Sequence, residues 1–568
     1  MVAKLCKNVK IQFNLFWWLQ REQQKMDFTL GVALRFSLIS TLFAGENVVN
    51  SSLMSRSQDV FNTIETDLEE LDTVSRIMKI NKHLVKHLIG GDINLDRTRT
   101  AQMCQGNDEG CLWTTSKNGN IYIPYNFKAG FNKIHQNIIT SALMQFNILT
   151  CIKFKRRTNE REYIQFVNGN GCWSFIGPRN GKPQEISLST SGCVHVGVIH
   201  HEIMHALGFQ HEHTRSDRDK YIDIIMDHIK PGSYSNFKTK NSNNLGTPYD
   251  YGSIMHYGKY IFSKGFGYPT ILPKPNRTVP IGQIKGFSSI DLLKINRLYK
   301  CKICGTLFTK GAGGFTSPDF PDFHLGYSSC NWIIRAPKDQ KILLQFDYFH
   351  IQKSLGCIRS HVGIYDGATT DSPIIQKRVC GRVAPAVISN TPMLLFIFFA
   401  NNIKEHMGFS AKYQFVRCGR MLPASEVKNN GKIEYKGSQE IEEESNCFWL
   451  VQTHKSYKVI LHITTYNFQT SPKCTKNYLE IHDVSKAPPE NKGKFCASKP
   501  APLAEGSALL IEFKHQGGKK QPGFKADFKT AYWPIHQRDE SSLHWSHCNT
   551  FMLIFCILLS SLRTLSFL

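Results

Sequence analysis

The segment His201-Glu202-Ile203-Met204-His205 holds two histidines four residues apart, and on a helix such a pair stands one above the other, able to grip a single ion. Glu202, one step around the same helix, would reach a water bound to that ion. Gly208 permits a backbone turn that other residues resist, and the turn brings His211 round as a third nitrogen donor. Three histidines with an exchangeable fourth position form the open arrangement of a catalytic zinc. Zinc so held lowers the pKa of its water from roughly 15.7 toward about 7 and polarises a carbonyl, while Glu202 takes the water proton and later passes it to the leaving amine. A chain of this composition would match the extended pattern by chance on the order of 10⁻⁴ times, so coincidence is set aside. His195, His200 and His213 fall off the spacing and are read as surface or core residues.

Positioning these groups requires a domain, and the chain divides readily. From Asp59 to about Lys86 the residues Val60, Phe61, Ile64, Leu68 and Leu71 recur at helical spacing, which predicts a helical leader. It continues into Gly90, Gly91 and Asp92, then Asp96-Arg97-Thr98-Arg99, where a trypsin-like protease could cut between Arg99 and Thr100. Residues 100–301 mix short β-branched runs, such as Ile121 to Pro124, with longer helical stretches; this predicts an α+β domain around the three histidines. Beyond Cys301 the pattern alternates, with Ile342, Leu344, Phe346 and Tyr348 in one strand and Val459, Leu461 and Ile463 in another. Cys304, Cys330, Cys357 and Cys380 recur as Cys418, Cys447, Cys474 and Cys496, with Trp332 and Trp449 two residues after the second cysteine of each set. Each unit closes on a Gly-Phe pair, Gly408-Phe409 and Gly523-Phe524. Two tandem all-β sandwiches are predicted, 302–417 and 418–530, each stapled by two disulfides.

A length of 568 residues calls for several domains. With 41% hydrophobic and 20% charged residues, and no secure transmembrane run, a soluble body is expected. The net charge of +24 favours encounters with acidic partners such as sulfated or sialylated glycoproteins, or describes a solvated basic surface. Of 17 cysteines, 14 lie between Cys104 and Cys496, which implies an oxidising compartment and argues against nucleic acid as partner. Met26 opens an apolar segment ending near small residues, much as a signal peptide does; residues 1–44 are read as leader and 45–99 as propeptide. Asn276 heads an Asn-Arg-Thr glycosylation sequence. In the tail, 531–568, Ser541-Ser542, a polar spacer and an apolar run from Phe551 to Leu562 resemble a GPI-anchor signal, against the competing reading of a plain secreted tail.

The stretch from His201 to Asp219, HEIMHALGFQHEHTRSDRD, resembles the signature of the astacin family of metzincin proteases. Ser253-Ile254-Met255-His256-Tyr257 resembles that family's Met-turn, which implies Met255 as the floor under the metal and Tyr257 as a switching tyrosine. The resemblance implies disulfides Cys151 to Cys301 and Cys172 to Cys193, and it implies that Asp92 fills the water site of a latent zymogen. Ser75-Arg76-Ile77 through Asn81-Lys82 is similar to the leaders of hatching-type members, and Cys104 with Cys111 resembles their extra N-terminal disulfide. The two repeats resemble CUB domains, so the whole looks most like amphibian-type hatching enzymes.

Some positions depart from the family pattern. Ile284, with Lys285 next, stands where many members carry a basic residue that favours acidic side chains past the cut. Gln352, Ser360 and Asn401, then Gln469, Asn477 and Gln516, stand where many CUB domains carry calcium-binding carboxylates, so calcium binding is not expected. Glu212 resembles the family's partner for the mature N-terminus, although a start at Thr100 lies upstream of the usual one. The expected function is a secreted zinc endopeptidase acting on extracellular or egg-coat proteins after activation by a trypsin-like protease. The alternatives are a matrix, growth-factor-processing or post-fertilisation egg-coat protease and, more remotely, an inert CUB adhesion protein.

Overall fold

The computed structural model describes residues 71–84, 87–94, 112–179, 181–323, 326–401, 407–423, 427, 430–436, 445–454, 456–467, 474–496, 503–516 and 523–533. The segments around Met26, Arg99, Thr100, Cys104, Cys111, Gln469 and the 534–568 tail lie outside them.

The first domain is built on a sheet whose strand order, among the described residues, is β1-β2-β6-β7-β5-β3-β4. Its strands are β1 (Leu88–Ile89), β2 (Ile93–Asn94), β3 (Ile121–Phe127), β4 (Ile152–Arg156), β5 (Ile164–Val167), β6 (Cys172–Ser174) and β7 (Gln184–Leu188). The run beginning at Ile121 forms the central β3, parallel to both β4 and β5. Helix Lys133–Leu149 starts at Asn132, whose side chain accepts the His135 amide, and buries Ile139, Ala142, Leu143, Phe146 and Leu149. Helix Val196–Ala206 is buried from Gly197 to its end, so it threads the centre of the domain and carries the metal motif in its last turns. Helix Ser289–Leu298 opens with a capping box in which Ser288 and Asp291 satisfy each other's backbone amides. A small ribbon, β8 (Ile222–Ile224) with β9 (Ile271–Pro273), lies on the C-terminal side of the histidines.

The leader is part of this domain. Helix Thr73–Ile80, capped by Asp72, realises the described part of the predicted helical leader, and β1–β2 extends the sheet, with Ile93 pairing parallel to Ser174 of β6.

The two repeats follow one plan. In the first unit β10 (Leu307–Phe308), β12 (Ser328–Arg335), β17 (Met393–Ala400), β14 (His361–Tyr365) and β15 (Ile374–Val379) form one sheet in that order. Strands β11 (Ala312–Thr316), β18 (Gly408–Val416), β13 (Lys341–His350) and β16 (Val387–Ile388) form the facing sheet. The second unit repeats this as β19 (Cys418–Leu422), β21 (Ser445–Gln452), β26 (Ala508–His515), β23 (Tyr478–Asp483) and β24 (Glu490–Phe495). Its second sheet is β20 (Asn430–Lys436), β27 (Gly523–Tyr532), β22 (Tyr457–Asn467) and β25 (Leu503–Gly506). The alternation Ile342, Leu344, Phe346 points inward as read, but a bulge before Tyr348 shifts the phase, and Phe349 fills the core instead of Tyr348. The same bulge follows Ile463 in the second unit.

Disulfides join Cys151 to Cys301 and Cys172 to Cys193 in the first domain. Cys304 pairs with Cys330, Cys357 with Cys380, Cys418 with Cys447 and Cys474 with Cys496. The domains are not beads on a string. Leu307, Ile333 and Leu395 of the first β unit join the apolar core of the α+β domain, and Leu343, Ile388 and Val416 pack on Phe448, Leu450 and Leu510 of the second unit.

Candidate metal centre

Gly208, with φ of 102°, ends helix Val196–Ala206 and turns the chain so that His211 returns to face His201 and His205. All three imidazoles converge on one carboxylate, that of Asp92. Asp92 Oδ2 lies 3.0 Å from His201 Nε2 and 3.1 Å from His211 Nε2, and Oδ1 lies 3.7 Å from His205 Nε2. The four side chains are buried and their ligand atoms lie within 4.8 Å of one another.

The proton positions explain what this cluster is for. His201 Nδ1 is 2.9 Å from the Ile254 carbonyl, and His205 Nδ1 is 2.8 Å from the Phe209 carbonyl. A carbonyl only accepts, so each Nδ1 carries the proton and, in the neutral ring, each Nε2 presents a lone pair. Lone pairs facing a carboxylate at such distances repel unless a cation lies between them. His205 Nε2 and Asp92 Oδ1 accordingly lack a hydrogen-bond partner among the described residues, which fits a nitrogen-and-oxygen metal site. Burial opposes the Asp92 charge; only positive charge among the groups facing it, His211 first were it protonated, would bring its carboxyl well below the usual carboxylate range.

Glu202 sits in the same buried space with neither carboxylate oxygen hydrogen-bonded among the described residues. Burial, and then the charge of Asp92, push its carboxyl well above the usual range. The Tyr257 hydroxyl donates to the Gly90 carbonyl at 2.6 Å, so the tyrosine engages the leader. Its ring stacks 3.7 Å from His213, whose Nε2 in turn meets the Asn236 carbonyl at 2.9 Å. Met255 lies in the apolar core with Ile203 and Met204.

The leader reaches this depth because Gly90 and Gly91 adopt φ of 61° and 85° and have no Cβ. A Cβ on Gly90 would stand 2.9 Å from His211 atoms, and one on Gly91 2.1 Å from Met78 Sδ. Asn81 secures the strand beside them: its amide donates to the Gly91 and Cys172 carbonyls at 2.8 and 2.6 Å, and its oxygen accepts the Cys172 amide at 2.8 Å.

Several supporting residues escape notice in the sequence. Asp291 accepts the Ile254 amide at 3.0 Å and the Ser253 hydroxyl at 2.6 Å, so one carboxylate fixes the residue whose carbonyl, one peptide further on, orients His201. Asp250, beside it, accepts the Ser288 hydroxyl, and burial followed by Asp291 raises its carboxyl to about 7. The capping-box spacing of Ser288 to Asp291 is a signal the sequence offers; the reach of that carboxylate to the Met-turn is not. Glu212 is engaged by the Lys294 ammonium and by Arg215 at 3.4 Å, so a lysine of this chain meets the carboxylate that the family resemblance implies as partner of the mature N-terminus.

The remaining candidates lie apart from the centre. His195 is at the surface, 2.7 Å from Arg76, while His200 is buried against Phe287 and its pKa is pushed down to about 3 by burial. Asn276 is exposed, its side-chain oxygen accepting the Thr278 amide. In the β units Ser360 accepts the Asn401 amide and Asn477 accepts the Gln516 amide. Residue spacing suggests no metal-ligating cluster in the repeats. The fold nonetheless brings Glu480, His482 and Glu512 together in the second, where Lys494, Asn491 and Tyr478 also hold the two carboxylates.

Residues 110–300 match the Astacin peptidase family, and residues 304–413 and 418–528 match the CUB domain. The chain is 33% identical to embryonic protein UVS.2 of Xenopus laevis, over 87% of this chain and 96% of that one. It is 36% identical to the astacin-like metalloendopeptidase of Gallus gallus, over 69% of this chain and 96% of that protein. Among solved structures, high choriolytic enzyme 1, a hatching enzyme zinc-protease from Oryzias latipes, is 46% identical over 36% of this chain and all of that one, with a TM-score of 0.34.

Proposed function

Because the chain belongs to the astacin family of metalloendopeptidases and carries two CUB domains, we propose that it is a secreted zinc endopeptidase, made as a latent zymogen, that cleaves extracellular or egg-envelope glycoproteins. The observation that carries this reading is the Asp92 carboxylate set against three histidine Nε2 atoms, with Tyr257 turned onto the residue two before it. The astacin family is zinc-dependent, and His201, His205 and His211 would hold that ion here.

Bound zinc supplies Lewis acidity, acidifying a water and polarising the scissile carbonyl. The chain's own groups do the rest. Glu202, unpartnered beside the histidines, takes a proton from the attacking water and delivers it to the departing amine nitrogen. The Tyr257 hydroxyl, released from Gly90 when the leader departs, donates to the carbonyl oxygen as negative charge grows on it. His213, stacked on the Tyr257 ring, restricts where that hydroxyl can swing. Met255, packed in the same apolar core as Ile203 and Met204 of the helix that carries His201 and His205, would floor the site. Asp92 keeps all of this silent by occupying the reacting position, and cleavage between Arg99 and Thr100 by a trypsin-like protease frees it. The CUB domains hold the enzyme on its substrate. The tail is read as a GPI-anchor signal or a plain secreted end, and membrane contact arises only through such an anchor.

Latency provides the test. Asp92→Ala should give peptide hydrolysis without proteolytic activation, measured on a short quenched-fluorescence peptide. A folded, metal-loaded Asp92→Ala zymogen as silent as the parent would overturn this reading.

A further inference from the structure

The two CUB domains repeat each other strand for strand, and at one corner they differ in a way that points to a binding surface. In the second domain the edge strand β24 neutralises itself. Lys494 lies 3.0 Å from Glu480 of the adjacent β23, Lys492 lies 2.6 Å from Glu490, and Lys486 also pairs with Glu490. Leu479 faces Phe495 there, as Val362 faces Val379 in the first domain. One residue back from Val379, Arg378 therefore matches Lys494; one residue on from Val362, Gly363 matches Glu480. The cation is kept and its carboxylate is replaced by a hydrogen atom.

More cations gather at the same corner. Ile351 and Gly381 exchange two backbone hydrogen bonds of 2.8 and 2.9 Å, and the Cys357–Cys380 disulfide ties the β13–β14 loop to the end of β15. These links tie together the two segments that carry Lys353, Arg359, Lys377, Arg378 and Arg382, all exposed and none ion-paired among the described residues. Arg378 is near enough to His361 to lower its pKa, second to burial. Neither 351–363 nor 376–383 contains an aspartate or glutamate. Between the cations stand Leu355, Ile358 and Val383, at 94%, 62% and 53% exposure. Beside them β15 is the edge of its sheet.

Charges on an edge strand also deter edge-to-edge aggregation. That role accounts for Lys377 and Arg378, but not for Lys353, Arg359 and Arg382 in the loops, nor for three aliphatic side chains in water. A sulfated polysaccharide would use the cations and leave the aliphatic groups and the strand edge idle.

We propose that this corner of the first CUB domain docks an acidic, extended polypeptide segment of the substrate, which adds to β15 by backbone hydrogen bonds, sets carboxylates against the five cations, and rests aliphatic side chains on Leu355, Ile358 and Val383. The proposal rests on the targeting role given to the CUB domains above and names the chemistry they select.

The test uses the full chain and a fluorescent peptide of alternating glutamate and valine, with binding read by anisotropy. The combined Arg359→Glu, Arg378→Glu and Arg382→Glu variant should lose affinity by about tenfold or more, and Leu355→Ser with Ile358→Ser severalfold. Binding by the parent should weaken as salt rises from about 0.05 to about 0.3 M. After activation, both variants should still hydrolyse a short uncharged peptide at the parental rate; this shows that they fold and separates failure of this surface from failure of the peptidase reading. Unchanged affinity in the charge-reversed variant overturns the proposal, as does salt-insensitive binding by the parent, or capture of heparin without capture of the acidic peptide.

Discussion

Glu202 has no partner for either carboxylate oxygen among the described residues, a costly arrangement for a buried carboxyl unless water and substrate complete it. Glu202→Gln keeps the size and leaves the three imidazoles alone, so metal content should be unchanged while kcat falls by on the order of 10² to 10⁴. Activity within about tenfold of the parent, with metal verified by atomic absorption, would sink the assignment. Tyr257→Phe should be milder, lowering kcat by on the order of 10² with a smaller change in KM, because the hydroxyl acts on the transition state. Asp250 yields a separate pH prediction. The folded state holds its proton up to about 7, while the unfolded chain releases it near the ordinary 3.8. Its contribution to stability is thus fully present at acid pH and is lost as pH rises through about 7. Asp250→Asn keeps an acceptor for the Ser288 hydroxyl and should flatten the decline in melting temperature across that window. An unaltered profile would place the proton elsewhere.

Among the elements, the leader is the one that must come loose in the zymogen proposed above, and Asn81 fastens it to the sheet. The Asn81 side chain bonds Gly91 on one side and Cys172 on the other, so Asn81→Ala leaves buried backbone groups unsatisfied, at a cost of about 1–3 kcal/mol for each. The expected result is a zymogen that leaks, with basal hydrolysis up by about tenfold or more. Basal activity equal to that of the parent zymogen would show that docking rests elsewhere. Of these parts, the sequence reveals what repeats or punctuates. Four-residue spacing and Gly208 disclose the three histidines, the recurring cysteines disclose the two CUB repeats, and period-two alternation discloses one strand in each of them. It conceals what is long-range. Nothing local at Asp291 says that its carboxylate reaches Ile254, or at Lys294 that it meets Glu212, because these pairs form only when the last helix packs on the Met-turn. The bulge before Tyr348 is hidden for a similar reason, since alternation alone cannot say where a strand gains a residue.

For the molecule as a whole, the sequence suggests a peptidase domain separable at Cys301, with targeting modules behind it. The structure qualifies that separability. Leu307, Ile333 and Leu395 of the first CUB domain complete the peptidase core, and Asn331 donates to the Ile148 carbonyl at 3.1 Å. Arg335 donates to the Lys285 and Phe287 carbonyls, each at 2.6 Å, and so grips the segment that runs from Gln283 beside the leader helix to the capping box of the last helix. A chain ending at Cys301 therefore loses more than its hold on substrate. Its exposed apolar surface should lower the melting temperature by several degrees, on the scale of about 4–8 °C per kcal/mol for a small domain and about half that for a larger one. At a temperature where it stays folded it should cleave a short peptide at close to the full-length rate, because Glu202, Tyr257 and the three histidines all precede Cys301. On an intact glycoprotein envelope it should be slower by on the order of 10² or more, since tethering raises local concentration without touching the chemistry. Arg335→Ala in the full chain separates the two effects, loosening the Lys285 segment while keeping both CUB domains. It should lower the melting temperature yet digest envelope nearly as fast as the parent. If the shortened chain digested envelope at the parental rate, the CUB domains would be structural props for the peptidase rather than its means of finding substrate.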